Sequence, residues 1–164
     1  MKIAVISDSH DNIWKLEEAI PILVQTDAVI HCGDIIAPFM VKRLAEGLGE
    51  IPVHIVWGNN DGDKRLLSKV AEQAGIISLH GDFAQFELGG KHIAINHYPE
   101  ISRAIAMSGN YDLVCFGHDH SAHEERIGNT LLLNPGELMG MNGRSTLAIY
   151  KTKNQQVDWI ELKV

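Results

Sequence analysis

The sequence is poor in features that define several protein classes. Its two cysteines, Cys32 and Cys115, are too few for the disulfide framework of a small secreted domain. No apolar run reaches the ~20 residues that a transmembrane helix needs. The chain begins in a strand-like segment without the apolar region of a signal peptide. We therefore expect a cytoplasmic protein without a membrane partner.

Positive charge is also scarce. The chain has 14 Lys and Arg against 21 Asp and Glu, which gives a formal net charge of −7 at pH 7. Proteins that hold nucleic acid stably neutralise its phosphates with Lys and Arg, and no basic run occurs here. We therefore expect no stable complex with nucleic acid, although a metal site could still accept a small phosphate ester.

The hydrophobic pattern predicts an α/β (α+β) fold of two packed, mixed β-sheets flanked by helices. Strands and helices alternate at first, and the second half is richer in strands. We expect helices at 12–25, 38–44, 63–74 and 101–107. Strands are expected at 3–7, 28–30, 53–56, 76–79, 83–88, 92–96, 113–116, 124–127, 130–133, 145–150 and 157–162. No repeat or linker divides the chain, so we expect one domain over residues 1–164.

Five of the strand-like segments end in a short polar cluster. In open α/β sheets ligands bind at the carboxyl ends of strands, where residues distant in sequence become neighbours. We therefore expect these clusters to form one small site, with more ligand-type side chains than one metal ion needs. The clusters are Asp8-Ser9-His10, Gly33-Asp34, Gly58-Asn59-Asn60-Asp61, Asn96-His97 and Gly117-His118-Asp119-His120.

Carboxylate, imidazole and amide groups without thiolates suit Mn, Fe, Zn, Co or Ni and argue against a structural zinc. His118 and His120 are two residues apart and can address one site from one side. The carboxylate of Asp34 could bridge two cations held ~3.5–4 Å apart. Each motif alone is also compatible with an ordinary polar turn, so the interpretation depends on the five together.

The order Asp-x-His, Gly-Asp, Gly-Asn-x-Asp, His and Gly-His-x-His resembles the calcineurin-like metallophosphoesterase superfamily. The motifs span residues 8–120 and look most like the small archaeal and bacterial phosphodiesterase branch. That branch is similar in fold to the phosphoesterase-like subunit of retromer. Asn134-Pro135-Gly136 also resembles a turn of this branch. The resemblance implies a four-layer sandwich.

The resemblance further implies a dinuclear phosphodiesterase in which a metal-bridging hydroxide attacks the phosphorus of a small phosphodiester. Two divalent ions are expected, with Mn²⁺ favoured and Ni²⁺, Zn²⁺, Fe²⁺ or Co²⁺ left open, and self-association is also left open. A part in catalysis is expected for Asn59, Asn60 and His118. The first metal would be held by Asp8, His10, Asp34 and His120, and the second by Asp34, Asn59, His97 and His118.

Two positions depart from the family pattern. Many members have a histidine, thought to protonate the leaving group, where this chain has Asn60, and an amide cannot act as a general acid. We therefore expect activated leaving groups to be preferred. Tyr98 follows His97 in place of a common glycine. Asp11, Asp61 and Asp119 are candidates for orienting ligand histidines, or else capping or surface carboxylates.

Two other functions stay open. A catalytically weak, protein-binding scaffold similar to the retromer subunit would be free to lose metal ligands. The presence of His10, His97, His118 and His120 argues against it. A redox or structural metal protein is the third alternative, and the open oxygen and nitrogen ligand set disfavours it.

Overall fold

The computed structural model describes residues 1–163, in which eleven strands and four helices occur. The strands are β1 (Lys2–Ile6), β2 (Ala28–His31), β3 (Val53–Ile55), β4 (Ile77–Leu79), β5 (Phe83–Leu88), β6 (Lys91–Asn96), β7 (Leu113–Cys115), β8 (His123–Ile127), β9 (Thr130–Asn134), β10 (Ser145–Lys151) and β11 (Gln156–Leu162). The helices are α1 (Ile13–Leu23), α2 (Pro38–Leu48), α3 (Lys64–Ala74) and α4 (Pro99–Met107).

The strands form two mixed sheets, as predicted. The first sheet has the order β11-β10-β1-β2-β3-β4, with β1 to β4 parallel and β10 and β11 antiparallel. The second has the order β5-β6-β7-β9-β8, with β6, β7 and β9 parallel and the outer strands antiparallel. Because β1 to β4 are parallel, and β6, β7 and β9 are parallel, the carboxyl ends of these strands lie on one edge of their sheet.

The two sheets pack face to face, and helices cover their outer faces. Alternate residues of a strand point to opposite faces of the sheet. Accordingly Ile3 and Val5 are buried between the sheets, whereas Ala4 and Ile6 are buried beneath α1, α2 and α3. The outer face of the second sheet packs against α4 through Ala106. The predicted helix–sheet–sheet–helix sandwich is therefore confirmed.

Local sequence signals account for most helix boundaries. The side-chain oxygens of Asn12 and Asp63 accept hydrogen bonds from the first turns of α1 and α3. Pro38 begins α2, where its missing N–H is not needed. This helix runs four residues further than the predicted 38–44, because Leu48 still packs into the core and Gly49 caps the end at a φ of 65°.

The fold places loops, rather than helices, at the carboxyl ends of the central strands. The polar clusters identified in the sequence follow β1, β2, β3, β6 and β7 directly. A further loop, containing Asn134-Pro135-Gly136, begins at the end of β9. None of the helices within residues 1–163 is long and apolar enough to cross a membrane.

Adjacent leucines on α3 provide a test of the packing. Leu67 is fully buried between α3 and the first sheet, whereas Leu66 is 44% exposed. We expect Leu67→Ala to lower the free energy of unfolding by about 2–5 kcal/mol, because it removes buried methyl groups and leaves a cavity. Leu66→Ala should cost about 0.5 kcal/mol or less. Urea denaturation of both variants checks this, and equal losses would contradict the described orientation of α3.

Candidate metal centre

The loops after the parallel strands of both sheets are joined by backbone hydrogen bonds. The N–H groups of Asp8 and His10 donate to the carbonyls of Gly33 and Asp34, both at 3.1 Å. Across the two sheets, the N–H of Met139 donates to the carbonyl of Asp8 at 3.0 Å. These bonds hold loops that are distant in sequence against one another, so the side chains they carry converge.

One group of side chains surrounds the carboxylate of Asp8. Ligand atoms of Asp8, His10 and His120 all lie within 4.8 Å of one another. The Nε2 atoms of His10 and His120 are 3.7 and 3.4 Å from Asp8 Oδ1, and His10 Nε2 is 3.4 Å from Asp34 Oδ2. Four of the side chains predicted from the sequence are therefore brought together here.

A second group shares the carboxylate of Asp34. Ligand atoms of Asp34, Asp8 and His97 lie within 4.8 Å of one another, and His97 Nε2 is 3.6 Å from Asp34 Oδ2. Asn59 Oδ1 lies 3.1 Å from His97 Nε2 and 2.9 Å from His118 Nδ1. Asp34 thus lies between the two groups, in the position of a shared ligand.

The two carboxylates are buried without the compensation that buried charges require. Asp8 and Asp34 are 0% and 1% exposed, and no Lys or Arg of residues 1–163 forms an ion pair with either. Asp8 Oδ1 and His10 Nε2 are buried and make no hydrogen bond within that range. Unpaired polar atoms in such a position are costly unless something binds them.

The imidazoles also shape the proton affinity of the site. Burial by itself raises the pKa of the Asp8 carboxyl, but His10, the Ser7 hydroxyl and the imidazoles of His97 and His120 together outweigh it, so the pKa lies below its ordinary value. The contact with Asp8 in turn raises the pKa of His10. Asp8 is therefore ionised at neutral pH, and a proton on His10 competes with any metal for its nitrogen.

Two histidines have one ring nitrogen committed to a hydrogen bond and the other directed at the carboxylates. His97 Nδ1 donates to the Cys32 carbonyl at 2.8 Å, and His120 Nδ1 donates to Glu137 Oε2 at 2.6 Å. Because Nδ1 carries the proton in each case, the Nε2 lone pair is free. Neutral imidazole with a free Nε2 is the form that binds metals.

Backbone strain is concentrated at the same place. Five of the candidate metal ligands have a positive backbone φ, which residues other than glycine seldom adopt. They are Asp8 at 52°, His10 at 39°, Asp34 at 58°, His118 at 74° and His120 at 58°. Such strain persists only where the surrounding structure enforces it, and it clusters at functional sites.

Two glycines allow the loops to approach closely. A Cβ atom at Gly58 would overlap the Asp34 carboxylate, and one at Gly117 would lie 2.5 Å from Asp8 Oδ2. Real Cβ contacts are longer than this, so any side chain at these positions would displace a candidate ligand. The glycines of the Gly-Asn and Gly-His motifs are therefore required by the space around the carboxylates.

Asn60, a predicted catalytic residue, lies directly on the shared carboxylate. Its backbone N–H donates to Asp34 Oδ1 at 2.8 Å, and its side-chain Nδ2 donates to Asp34 Oδ2 at 2.7 Å. The side chain is exposed on its other side. Asn60 therefore presents an amide, and no acidic proton, at the mouth of the site.

The three carboxylates considered for orienting ligand histidines do something else. Asp61 accepts hydrogen bonds from the backbone N–H groups of Asp34, Ile36 and Gly58. Asp11 accepts from the N–H of Ala37 at 2.9 Å. Asp119 accepts from Asn134 and Ser121. They fix the loops and not the imidazoles, as expected of short carboxylates that follow turns.

Two residues that contact the site were not identified from the sequence. Glu137 is 1% exposed, and its Oε2 accepts a hydrogen bond from His120 Nδ1–H. Its Oε1 accepts a hydrogen bond from the backbone N–H of Asn142. His31 is buried, and burial lowers its pKa to about 4. Its Nδ1 accepts from the Gly33 N–H, so its Nε2 donates to Ser9 Oγ at 3.0 Å. Glu137 directly follows the Asn-Pro-Gly turn, which was the one available signal.

The donor set fits divalent cations. Carboxylate oxygens, an amide oxygen and neutral imidazole nitrogens converge from five loops, and two of the atoms lack any partner within residues 1–163. Binding a cation would satisfy these atoms and relieve the repulsion between the carboxylates.

Comparisons with known proteins agree with this geometry. The family profile described as a calcineurin-like phosphoesterase superfamily domain matches residues 1–155. A phosphodiesterase from Methanocaldococcus jannaschii is 31% identical over 168 residues, covering 99% of this chain and 100% of the relative. A probable metallophosphoesterase from Bacillus subtilis is 33% identical over 147 residues, covering 84% of this chain and 75% of the relative.

Solved structures show the same fold. A structure of an archaeal phosphodiesterase superposes with a TM-score of 0.92 at 30% identity, covering 99% of this chain and 100% of the other. Vps29 from Chaetomium thermophilum shares the fold with a TM-score of 0.68 at 15% identity, covering 99% and 96%. The family profile matches residues 1–155, and a 31% identical relative aligns with 99% of this chain. The chain therefore belongs to the calcineurin-like phosphoesterase superfamily.

Proposed function

We propose that this protein is a dinuclear metal-dependent phosphodiesterase that hydrolyses small phosphodiesters. The observation that carries the proposal is the pair of buried carboxylates, Asp8 and Asp34, which imidazoles surround and no Lys or Arg of residues 1–163 neutralises. A diester is proposed because the relative aligned over 99% of this chain is named a phosphodiesterase.

In this proposal each metal has four protein ligands, with Asp34 shared between them. Mn²⁺ is the favoured ion, and Ni²⁺, Zn²⁺, Fe²⁺ or Co²⁺ would accept the same donors. The distances among the donor atoms support the assignment. The first metal would be held by Asp8, His10, Asp34 and His120, and the second by Asp34, Asn59, His97 and His118.

When bound, the two cations would neutralise phosphate oxygens and lower the pKa of the water that attacks phosphorus. The chain itself supplies orientation. The exposed amide of Asn60 can donate to a phosphate oxygen beside Asp34, while its backbone N–H keeps Asp34 in place. Asn59 Oδ1 and His118 Nδ1 lie 2.9 Å apart on the second-metal side and would act in catalysis by holding the ion that binds the substrate's phosphate.

A catalytically weak scaffold has less support. Its fold is shared with Vps29, but a likeness at 15% identity concerns the fold alone.

We also propose a cytoplasmic location, which the two free, buried cysteines support. One domain over residues 1–164 is supported by β10 and β11, which return the end of the chain to the sheet that contains β1. Self-association stays open.

The proposal predicts metal-dependent hydrolysis. Protein stripped with a chelator should hydrolyse bis(4-nitrophenyl) phosphate only after Mn²⁺, Ni²⁺ or Zn²⁺ is added back. Asp34→Ala and His118→Ala should each lower kcat/KM by more than about 100-fold, beyond the loss typical of an outer-shell partner. Release of 4-nitrophenolate measures the rate.

A matched control uses an exposed carboxylate. Asp158→Ala removes an aspartate that pairs with Lys151 on β10, remote from the ligand loops, and should leave the rate unchanged. Folding of each variant is checked by circular dichroism. No turnover by folded wild-type protein with any of the metals, or equal turnover by Asp34→Ala, would contradict the proposed function.

Glu137 provides a second test, in which metal affinity is measured instead of substrate hydrolysis. Its carboxylate accepts a hydrogen bond from His120 Nδ1–H and thereby makes Nε2 of that ring a stronger metal ligand. Glu137→Gln keeps the shape but removes the charge. We expect the affinity for one of the two Mn²⁺ ions to fall by about 10–100-fold, measured by competition with a chelator. Glu161→Gln, on the exposed pair with Arg144, is the control, and unchanged affinity in Glu137→Gln would refute the role.

Asn60 leads to a prediction about the leaving group. Since its amide cannot protonate a departing oxygen, the rate should depend steeply on leaving-group pKa. Aryl methyl phosphates with phenols of increasing pKa keep the rest of the substrate constant. We expect log kcat/KM to fall steadily along the series, and a flat dependence with chemistry rate-limiting would show that another group donates the proton.

A further inference from the structure

One aromatic side chain stands against the proposed ligands of the second metal. The ring of Tyr98 lies 5.1 Å from the ring of His118 and 5.2 Å from that of His97, measured between centroids. Both pairs meet edge to face, at 64° and 75°. Tyr98 is half-buried and His118 is exposed, so the ring lines an open part of the site.

The backbone holds Tyr98 firmly in this position. Its N–H donates to Asn96 Oδ1 at 2.9 Å, and its carbonyl accepts from the N–H of Ser102 at 3.0 Å, inside α4. Pro99 begins that helix directly afterwards and restricts the preceding backbone. The backbone that carries the ring is therefore already ordered, and less freedom is lost when something packs against the ring.

Tyr98 brings an apolar surface to a site whose other groups are polar. Asp8, Asp34 and Asn59 would act through the metal ions, and the Asn60 amide can donate to a phosphate oxygen, so none of them distinguishes one phosphate substituent from another. A flat aromatic face discriminates differently, because it packs well against a planar ring and poorly against a small alkyl group. Its position beside His118 places that face within reach of a substituent on a phosphate held at the second metal.

We propose that Tyr98 is a specificity-determining residue that selects phosphodiesters with an aryl or nucleobase substituent. The inference rests on the proposed function, because it assumes that the phosphate is held at the adjoining metal site. The Tyr98 ring, rather than its hydroxyl, makes the contact. The preference is therefore a property of binding and does not depend on which ester bond breaks.

Two inert ligands test the inference without turnover. Phenylphosphonate and methylphosphonate carry the same anionic group and differ in the substituent. Calorimetric titration of the Mn²⁺-loaded wild-type protein should show about fivefold tighter binding of phenylphosphonate, the size expected for one aromatic contact. Tyr98→Ala should abolish this ratio, and Tyr98→Phe should retain it. A ratio that survives in Tyr98→Ala would overturn the proposal.

The ratio separates recognition from a merely structural role. If Tyr98 only supported His118, its loss would weaken both phosphonates equally and leave the ratio unchanged, which also overturns the proposal. Tyr111→Ala, which removes a partly exposed tyrosine at the opposite end of β7, is the matched control and should keep the wild-type ratio.

The hydrolysis assay distinguishes failure of the proposed role of Tyr98 from failure of the proposed function. Metal-dependent turnover of bis(4-nitrophenyl) phosphate together with an unchanged phosphonate ratio in Tyr98→Ala would reject the role of Tyr98 and leave the enzyme established. Absence of turnover and of binding by either phosphonate in the wild-type protein would reject the proposed function, and the inference with it.

Discussion

Two buried carboxylates that lie side by side are the constraint on which the rest of this site depends. Asp8 and Asp34 lie close together at the carboxyl ends of neighbouring strands, and within residues 1–163 imidazoles, the Asn60 amide and backbone N–H groups approach them, but no Lys or Arg does. Like charges at this separation repel, and burial strengthens the repulsion. Divalent cations resolve the conflict, because they provide positive charge and satisfy the donor atoms that the chain leaves unpaired.

Much of the surrounding structure follows from keeping those carboxylates in place. Their backbone adopts positive φ values, and Asp61 secures the strained loop by accepting three backbone N–H groups. Gly58 and Gly117 leave the space that the carboxylates occupy. The buried strands position these loops, because the loops follow the carboxyl ends of parallel strands, which lie on one edge. Hydrogen bonds tie the ligand loops to one another.

The fold and the convergence of the polar clusters could be predicted from the sequence, for a physical reason. Alternating apolar strands and amphipathic helices specify layers, and parallel strands bring their carboxyl ends together. The roles of Asp11, Asp61 and Asp119 could not be predicted, because a short carboxylate after a turn can bind either backbone or imidazole. Glu137 was missed because its partner His120 lies seventeen residues away on another loop.

The proposed substrate preference depends on two side chains that are not candidate metal ligands. Asn60 and Tyr98 stand out in the sequence as departures from the family pattern, and their contacts with Asp34 and His118 place them beside the candidate ligands. In our proposals the ligand residues hold the metal ions, whereas these two neighbours adapt the site to a class of ester. The contacts that these two residues make become visible only when the distances between loops are known.

The most direct test of the account is the number of metal ions that the protein binds. Metal-stripped protein is dialysed to equilibrium against Mn²⁺, and bound metal is measured by mass spectrometry for the wild type and for Asp34→Asn. The account predicts two ions per chain in the wild type and fewer than two in Asp34→Asn, because both ions share Asp34. A folded wild-type protein that binds no Mn²⁺, Ni²⁺ or Zn²⁺, or an Asp34→Asn variant that still binds two ions, would contradict it.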